Sequence, residues 1–398
     1  MIPEGMRDVL PAEAGSLQLL ADTLRSRFSA YGYGPVRTPT LEFAETFEAL
    51  DDDTLRAGYR VFDDRGRVLL LRTDMTVPIA RLAATRCREK PLPLRFSYVA
   101  DSYRLPAPNR REDGQFTQAG VELLGAGSAA ADAELVVLLC DALRATGLRD
   151  FKVALGTVAF HASLVDGLRL PEDQAEAALD ALAERDYPLL ESILSNAGVD
   201  AEAVVALQRA IALGGGDEAL SQARRLAGRT GGIHVLDRLD EVGDLVEDAG
   251  FGDFIELDVG LTPDIDYYTG LLIEAYAPEA GFPLATGGRY DDLLSQHGWD
   301  IPGAGFAISL DRLHAALEHE GLQPVGRTAL HVAGGFDEPE LCADLREAGY
   351  DVAAVPAGAQ DLPLPSLVHE DGGWVLSLPD RPPVRGSLRD LRKELGLA

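Results

Sequence analysis

The stretch from Leu94 to Gly125 constrains the fold most, because its pattern is typical of two β-strands joined by a long polar loop. In the first strand, apolar residues at 94, 96 and 98 alternate with polar ones. The second strand places on one side Phe116, Gln118, Gly120 and Glu122, and on the other Ala119, Val121 and Leu123. The pattern predicts an antiparallel hairpin with one core face and one polar face. The polar face either meets water or holds a small polar ligand close to the backbone at Gly120.

The length of 398 residues allows two or three domains, each with its own core. Acidic residues outnumber basic ones by 65 to 36, a net charge of −29, which disfavours nucleic-acid partners at long range. No apolar run approaches the ~20 residues of a membrane helix, and the first residues lack the pattern of a signal peptide. We therefore expect a cytoplasmic, globular chain that binds neither nucleic acid nor membrane.

Motifs for a metal, a cofactor or a catalytic nucleophile are missing from the sequence. Cys87, Cys140 and Cys342 are odd in number and in no CxxC spacing, so they predict neither a disulfide framework nor a zinc site. The sequence has no P-loop, no HExxH and no GxSxG. It predicts no cofactor and no metal.

Along the chain, periodicity predicts an amphipathic helix over 13–31, a short helix from about 41, and a hairpin with its turn at 63–66. A helical insertion follows at about 159–250. Strands return from 254, and a strand runs into a helix near Asp311. Residues 1–322 are thus expected to form one core, and 327–398 a small α/β domain.

Two features allow more than one interpretation. Asp74 and Thr76 stand where a strand turns into a helix, and they either cap that helix or bind a ligand. The pair Gly287 and Gly288 does not belong to a GxGxxG motif and is typical of a tight turn or of a ligand loop.

Polar residues on strands and elbows form the candidate site. They are Asp74, Thr76, Arg104, Gln118, Glu122, Tyr267, Tyr268 and Arg312. Carboxylates with an amide can hold an ammonium group, and a glutamate with a tyrosine hydroxyl can bind both nitrogens of an imidazole. The set therefore favours a cationic amino acid as ligand.

The order of these segments resembles a class II aminoacyl-tRNA synthetase of the histidine branch, over roughly 3–322. PEGMRDVLP is similar to the family's N-terminal signature, 31–39 to its dimer-forming first motif, and LRTDMT to its LRPEGT. SYRLPAP through Glu122 resembles the second motif, IDYYTG with TGGRYDDL the histidine loop, and GFAISLDRL the third motif. The resemblance implies an α+β fold with an antiparallel sheet flanked by helices.

The resemblance also implies roles for the matching residues. Asp74, Thr76 and Gln118 would hold the α-amino group of histidine, and Glu122 and Tyr268 would face the imidazole, with Tyr267 and Arg104 beside them. Arg104 and Arg312 match the arginines that bind ATP, and they would remain as a vestigial ATP site.

Two positions depart from the catalytic pattern. The family's Phe-Arg-x-Glu is here Tyr-Arg-Leu-Pro, ending at Pro106, and the arginine of the histidine loop is replaced by Pro263. Loss of such a charge-stabilising donor commonly costs orders of magnitude in rate. The last 72 residues are also acidic, with 12 carboxylates against seven basic residues, and shorter than an anticodon-binding domain.

The pattern therefore resembles the synthetase paralogue that serves as regulatory subunit of ATP phosphoribosyltransferase in histidine biosynthesis. That resemblance implies no catalytic residue in this chain, a short-form catalytic subunit as partner, and L-histidine as feedback ligand. It also implies a homodimer within a hetero-octamer. The alternative is a working histidine–tRNA ligase, or another adenylate-forming enzyme, in which the altered motifs are compensated elsewhere.

Overall fold

The computed structural model describes residues 2–47, 58–105, 114–183, 186–199, 204–205, 216–230, 233–262, 267–278, 280–322, 330–335, 337–347, 350–357, 362, 365–370, 373–378, 381–387 and 390–391. Two compact units make up the chain, Met1–Pro324 and Val325–Ala398. Among the helices of these residues, none has the length and apolar character needed to cross a membrane.

Helices and strands alternate irregularly in the first unit. Its helices are α1 (Pro11–Ala30), α2 (Thr76–Arg86), α3 (Ala129–Ala145), α4 (Val158–Asp166), α5 (Glu172–Ala183), α6 (Tyr187–Asn196), α7 (Asp217–Thr230), α8 (Ile233–Asp248), α9 (Leu293–Gln296) and α10 (Leu310–His319). Its strands are β1 (Gly34–Pro35), β2 (Leu41–Phe43), β3 (Arg60–Phe62), β4 (Val68–Leu71), β5 (Leu94–Tyr103), β6 (Gln115–Leu124), β7 (Lys152–Thr157), β8 (Ile255–Leu257), β9 (Leu271–Tyr276), β10 (Ala285–Arg289) and β11 (Gly303–Ser309).

Eight strands form the main sheet, in the order β1-β5-β6-β11-β10-β9-β7-β8. The central pairs are antiparallel, while the outer pairs β1/β5 and β7/β8 are parallel. This is the expected class II synthetase-like α+β architecture. The β5–β6 hairpin is in register from Leu94 opposite Leu124 to Tyr103 opposite Gln115, as the alternation predicts. Its connecting loop, 106–113, lies outside the described residues.

One face of the sheet is covered by helices α1, α3 and α10. The stripe of α1 buries Leu20, Leu24 and Phe28, and the Phe28 ring meets Phe306 of β11 edge-on at 5.9 Å between centroids. This face of β6 carries Ala119, Val121 and Leu123, all fully buried. Apolar packing therefore fixes the sheet from one side and leaves its opposite face for polar residues.

The helical insertion consists of α4 to α8 as far as it is described. Helix α8 packs on α3 through the buried Leu236, Leu239, Val242 and Val246. It also reaches the core through an ion pair: Arg238 Nη2 lies 2.8 Å from Asp132 Oδ2. The carboxylate of Asp132 binds Arg289 of β10 as well, so that it joins the insertion to the main sheet.

A separate three-stranded sheet has the order β2-β4-β3. The predicted β3–β4 hairpin is present, with Asp63 Oδ1 accepting from the amides of Arg65 and Arg67 in its turn. The short helix expected from about 41 is wrong where the structure describes it: Leu41–Phe43 is a strand, followed by a 3-10 turn. Its Leu-Glu-Phe alternation has the two-residue period of a strand, and β4 supplies the pairing.

The tight turn considered for Gly287 and Gly288 is also wrong, because both glycines lie inside β10. Glycine is needed there because neighbouring groups pack directly against the strand, and not because the chain turns. A Cβ atom on Gly287 would lie 2.5 Å from Gly305 O, and one on Gly288 would lie 2.7 Å from Cδ1 of Tyr268. Because glycine has no side chain, these neighbouring groups can lie directly against the backbone of β10.

The second unit contains β12 (Leu330–Ala333), α11 (Pro339–Glu347), β13 (Val352–Val355), β14 (Ser366–Glu370), β15 (Gly373–Leu378) and β16 (Arg381–Gly386). Its five-stranded sheet has the order β13-β12-β14-β15-β16. Sequence reasoning missed β14 and β16. Strand β16 contains Pro382 and Pro383, and prolines argue against a strand when only the sequence is read. They are tolerated here because β16 is an edge strand. Most of the final helix expected there lies outside the described residues.

Candidate functional site

A cavity of ≈370 Å³ lies over the polar face of the main sheet. Seven of the eight predicted residues line it: Asp74, Thr76, Arg104, Gln118, Tyr267, Tyr268 and Arg312. The eighth, Glu122, lies immediately behind the lining and is 1% exposed. The fold thus brings together residues that are scattered over more than half of the chain.

Glycines on three adjacent strands shape the cavity. Gly287 on β10 and Gly305 on β11 line it, while Gly120 on β6 and Gly288 on β10 leave room for two of its tyrosines. A Cβ on Gly120 would lie 2.4 Å from the Tyr98 hydroxyl, and one on Gly305 would lie 2.0 Å from Glu122 Oε2. Any larger residue would displace the groups that form the site. Gly120 was expected to bring a ligand close to the backbone, and it makes room for a tyrosine.

Glu122 is the most enclosed acidic group at the cavity. Thr76 Oγ1 donates to its Oε1 at 2.8 Å, and the hydroxyl of Tyr290 donates to its Oε2. Burial raises the pKa of Glu122 to about 8, against which the two hydroxyl donors act because they stabilise the carboxylate. The expected wet face of β6 is therefore wrong at this position, because aromatic rings close over the carboxylate.

Asp74 combines both roles that the sequence left open. Its Oδ1 accepts from the amide of Val77 at 3.0 Å, which holds the first turn of α2. The same carboxyl lines the cavity. Burial raises its pKa, while the Val77 amide and the nearby Arg104 guanidinium oppose that rise. A cationic group entering the cavity would restore the charge that burial disfavours.

Arg104 and Gln118 also line the cavity, and the guanidinium of Arg104 acts on the charge of Asp74. The guanidinium Nε of Arg104 donates to Thr73 O at 3.0 Å, and its Cζ lies 5.6 Å from the centre of the Phe116 ring. Ser102 Oγ donates to Gln118 Oε1 at 3.1 Å, which holds the amide against β5. Both long side chains are thereby fixed before any ligand arrives.

Aromatic rings form one wall. Tyr267 packs against Tyr268 with the rings tilted by 59° and 5.0 Å between centroids, and it meets Tyr290 edge-on at 5.7 Å. Burial raises the pKa of each of these hydroxyls, so they remain neutral hydrogen-bond donors. Sequence reasoning missed Tyr290 and Tyr98 as members of the site. For Tyr98, its place in β5 directly opposite Gly120 was an available signal.

Arg312 faces the far end of the cavity, where the chain itself contacts it. Its Nη1 donates to Pro283 O at 2.9 Å, and its Cζ lies 5.2 Å from the centre of the Phe282 ring. The neighbouring Asp311 binds Arg7 at 2.7 Å. Arg104 and Arg312 therefore line one cavity, and the vestigial ATP site stays a prediction. Pro106 and Pro263 lie outside the described residues.

The arrangement is suited to a small zwitterion with a nitrogen-bearing side chain. Asp74 offers a buried carboxyl in the lining, and Glu122 offers a second one behind the lining, between hydroxyl donors. Buried carboxyls are stabilised by N–H donors of a ligand, and Arg104 can bind a ligand carboxylate.

A family model described as histidyl-tRNA synthetase matches residues 5–313 of this chain. An ATP phosphoribosyltransferase regulatory subunit of Moorella thermoacetica is 39% identical over 363 residues, covering 91% of this chain and 89% of the relative. A protein of the same description from Symbiobacterium thermophilum is 36% identical over 367 residues, covering 91% and 89%.

Solved structures give the same picture. A Bacillus halodurans protein, described as an ATP phosphoribosyltransferase regulatory subunit/histidyl-tRNA synthetase, superposes with a TM-score of 0.77 at 30% identity. It covers 91% of this chain and 94% of the other. Histidyl-tRNA synthetase from a Nostoc species has the same TM-score at 20% identity, covering 100% and 98%, which shows a shared fold.

Proposed function

Since this chain belongs to the family of ATP phosphoribosyltransferase regulatory subunits, which are built on a histidyl-tRNA synthetase-like core, we propose that its cavity binds L-histidine as a feedback signal. As a member of that family it is a non-catalytic subunit of histidine biosynthesis and works with a catalytic subunit. Binding of histidine in the cavity would then inhibit the catalytic subunit.

The observation that carries the proposal is the environment of Glu122. Its carboxyl is buried and oriented by two hydroxyls, as a group that recognises one nitrogen of an imidazole requires. Tyr268 stands beside it as a hydroxyl for the other nitrogen, and Asp74 with Gln118 and Thr76 supports binding of the α-amino group. Arg104 and Tyr267 complete the proposed histidine site.

The chain lacks charged groups at two positions where a histidyl-tRNA synthetase has catalytic ones. Proline at 106 and 263 has no charged side chain, so neither position can stabilise a reacting adenylate. Arg312, which a synthetase would turn towards ATP, is engaged by Pro283 and stacked on Phe282. Retained recognition with lost catalysis is what a sensor derived from an enzyme requires.

Regulation needs two states of the assembly that bind histidine with different affinity. A ligand can shift an equilibrium only by its differential affinity, and a coupling of about 1–3 kcal/mol is typical. By the same linkage, the catalytic subunit must change the affinity of this chain for histidine. Binding of histidine to the isolated chain and to the complex should therefore differ.

We further propose that the chain forms a homodimer, and that two dimers assemble with four catalytic chains into a hetero-octamer. The exposed face of the β2-β4-β3 sheet supports the dimer. Leu41, Phe43 and Val61 point to the same side of it by their pairing with β4, and each is 39–40% exposed. An apolar face of this kind is unfavourable in water and suited to a second copy.

The deciding experiment mixes the full-length chain with a short-form catalytic subunit and measures phosphoribosyl transfer with and without histidine. We expect activation on mixing and inhibition by histidine. Glu122→Ala should keep the activation and lose most of the inhibition, whereas the exposed Glu89→Ala should behave as the unmodified chain.

Each failure of this experiment has a separate meaning. Absence of activation contradicts the regulatory role. Activation without a histidine effect contradicts feedback through this chain. Inhibition that survives in Glu122→Ala moves the feedback site away from the cavity. Charging of histidine onto tRNA by the purified chain would favour the ligase instead.

The cellular location follows from the partner. The enzyme that these relatives regulate uses ATP as a substrate, as its name states. We therefore propose that this chain works in the cytoplasm.

A further inference from the structure

Tyr290 is fully buried and directly follows strand β10, which ends at Arg289. Its hydroxyl donates to Glu122 Oε2, a residue 168 positions away in sequence. Its ring belongs to a core cluster with Leu293, Leu294 and Val77, so that the position of the hydroxyl is set by apolar packing.

Strand β11 shapes the space for this pair through two glycines on the same face. A Cβ on Gly303 would lie 2.4 Å from Tyr290 Cε2, and a Cβ on Gly305 would lie 2.0 Å from Glu122 Oε2. The amide of Tyr290 donates to Gly303 O at 2.8 Å. Backbone, ring and carboxyl therefore fit together only because β11 has no side chain at these two positions.

The neighbours of Glu122 show why this contact matters. The titratable groups that face it from the packed elements are Asp74, Tyr98, Tyr267, Tyr268 and Tyr290. Each of them is neutral or negative, and the cation Arg104 acts on Asp74 and Tyr268 rather than on Glu122. The carboxylate of Glu122 is thus stabilised by hydroxyl donors, Tyr290 and Thr76, and by no cation among the described residues.

We propose that Tyr290 is a positioning residue of the histidine site, which fixes the orientation of the Glu122 carboxyl for recognition of the imidazole. This role rests on the proposed function of the cavity. Tyr290 also lines the cavity, and in the proposed role it acts through Glu122.

The role has a consequence that a purely structural tyrosine lacks. A donor that stabilises the carboxylate lowers the pKa of Glu122, so its removal must raise that pKa further. The affinity for histidine should change over the pH range in which Glu122 titrates. This holds whether the proton between the two groups lies on the carboxyl or on the imidazole. The pH at which affinity changes should therefore move upward in Tyr290→Phe.

The test is calorimetric titration of the full-length chain with L-histidine from about pH 6 to 9, a range that spans the titration of imidazole and of the buried carboxyl. We expect Tyr290→Phe to lose about tenfold in affinity at neutral pH, as for a lost hydrogen bond to a charged group, and to shift the upper inflection upward. Glu122→Gln should lose that inflection, and adding Tyr290→Phe to it should change affinity less than about threefold.

Tyr33→Phe is the matched control, because Tyr33 is an equally buried tyrosine that donates to a glutamate, Glu134, at 2.8 Å outside the cavity. It should leave both affinity and inflection unchanged. An unchanged inflection in Tyr290→Phe overturns the inference even if affinity falls. No histidine binding by the unmodified chain overturns the proposed function and the inference together.

A second measurement covers a Tyr290→Phe variant that does not fold. Carbon-13 NMR of labelled glutamate carboxyls in the unmodified chain should show one carboxyl that titrates near pH 8 and that shifts on addition of histidine. The signal should be absent in Glu122→Gln. A spectrum without such a carboxyl overturns the inference.

Discussion

Thr76 Oγ1 donates a hydrogen bond to Glu122 Oε1 at 2.8 Å, although the two residues are 46 positions apart. Thr76 is the first residue of α2, whose first turn is held by Asp74, and Glu122 lies near the C-terminal end of β6. The start of one helix thus positions both carboxyls of the candidate histidine site.

Thr76→Val should weaken histidine binding without unfolding the chain. The substitution keeps the shape of the side chain and removes the donor to Glu122, which corresponds to about a tenfold loss for a hydrogen bond to a charged group. Calorimetry measures the affinity. Thr85→Val is the control, because Thr85 lies on the exposed last turn of the same helix. Equal affinities in the two variants would contradict the prediction.

Glu122→Gln should flatten the pH dependence of stability in the absence of histidine. Burial raises the pKa of Glu122 to about 8 from its ordinary 4.5, so the folded chain binds this proton more tightly than the unfolded chain. Its contribution to stability is complete below the ordinary pKa and is lost as pH rises towards 8.

Denaturant unfolding at about pH 5 and about pH 8 measures this contribution as a difference between the two pH values. A part of the fall should remain in Glu122→Gln, because burial also raises the pKa of Asp74. A slope that is identical in the variant and the unmodified chain would rule out Glu122 as its source.

Gly305→Ala should destabilise the chain and abolish histidine binding. The added Cβ would lie 2.0 Å from Glu122 Oε2 and 2.3 Å from Val121 O, so either the carboxyl or the backbone of β6 must move. Gly15→Ala in α1 is the opposite case, since a Cβ there meets nothing within 4 Å and alanine favours a helix. In thermal melting, Gly305→Ala should have a lower Tm than the unmodified chain, and Gly15→Ala should have an equal or higher Tm.

Asp132→Ala should loosen the helical insertion from the core. Asp132 is 1% exposed and binds Arg289 of β10 and Arg238 of α8, so its removal leaves the buried Arg289 with the more exposed Asp291 as its carboxylate partner. Breaking a buried pair costs about 3–5 kcal/mol of unfolding free energy when the remaining charge has no partner, and Asp291 should lower that cost here. Asp141→Ala, which removes a more exposed pair with Arg27, should cost about 1 kcal/mol or less.

Hydrogen exchange locates the effect of Asp132→Ala in the structure. Faster exchange in α8 and in the first turns of α3 is expected in Asp132→Ala and not in Asp141→Ala. Uniformly increased exchange over the whole chain would show a loss of global stability without specific release of the insertion.

Phe43→Asp should dissociate the proposed homodimer. Phe43 lies on the exposed face of the β2-β4-β3 sheet, and a carboxylate there would be buried without a partner in an interface. Light scattering measures the mass. Leu189→Asp, at an exposed leucine of the helical insertion, should leave the mass unchanged. A dimer in Phe43→Asp would place the interface elsewhere.

Much of the fold was available from local patterns. The period of two in 94–98 and 116–123 predicted the β5–β6 hairpin, and the spacing of Leu20, Leu24 and Phe28 predicted the buried stripe of α1. These predictions succeeded because backbone periodicity decides which side chains share a face before any tertiary contact exists. The short strands were harder, since β2 and β16 owe their conformation to the strand they pair with.

The sequence by itself determined which residue types are available to the site: residues expected of a histidine pocket stood at matching positions, and prolines stood where the resemblance expects charged catalytic groups. Only the tertiary structure decided how these residues work. It buried Glu122, placed Tyr290 and Thr76 on its two oxygens, and placed Gly287 and Gly288 inside strand β10 beside the cavity instead of in a turn. The physical reason is that burial and long-range hydrogen bonds arise from the packing of distant segments, and no local pattern encodes them.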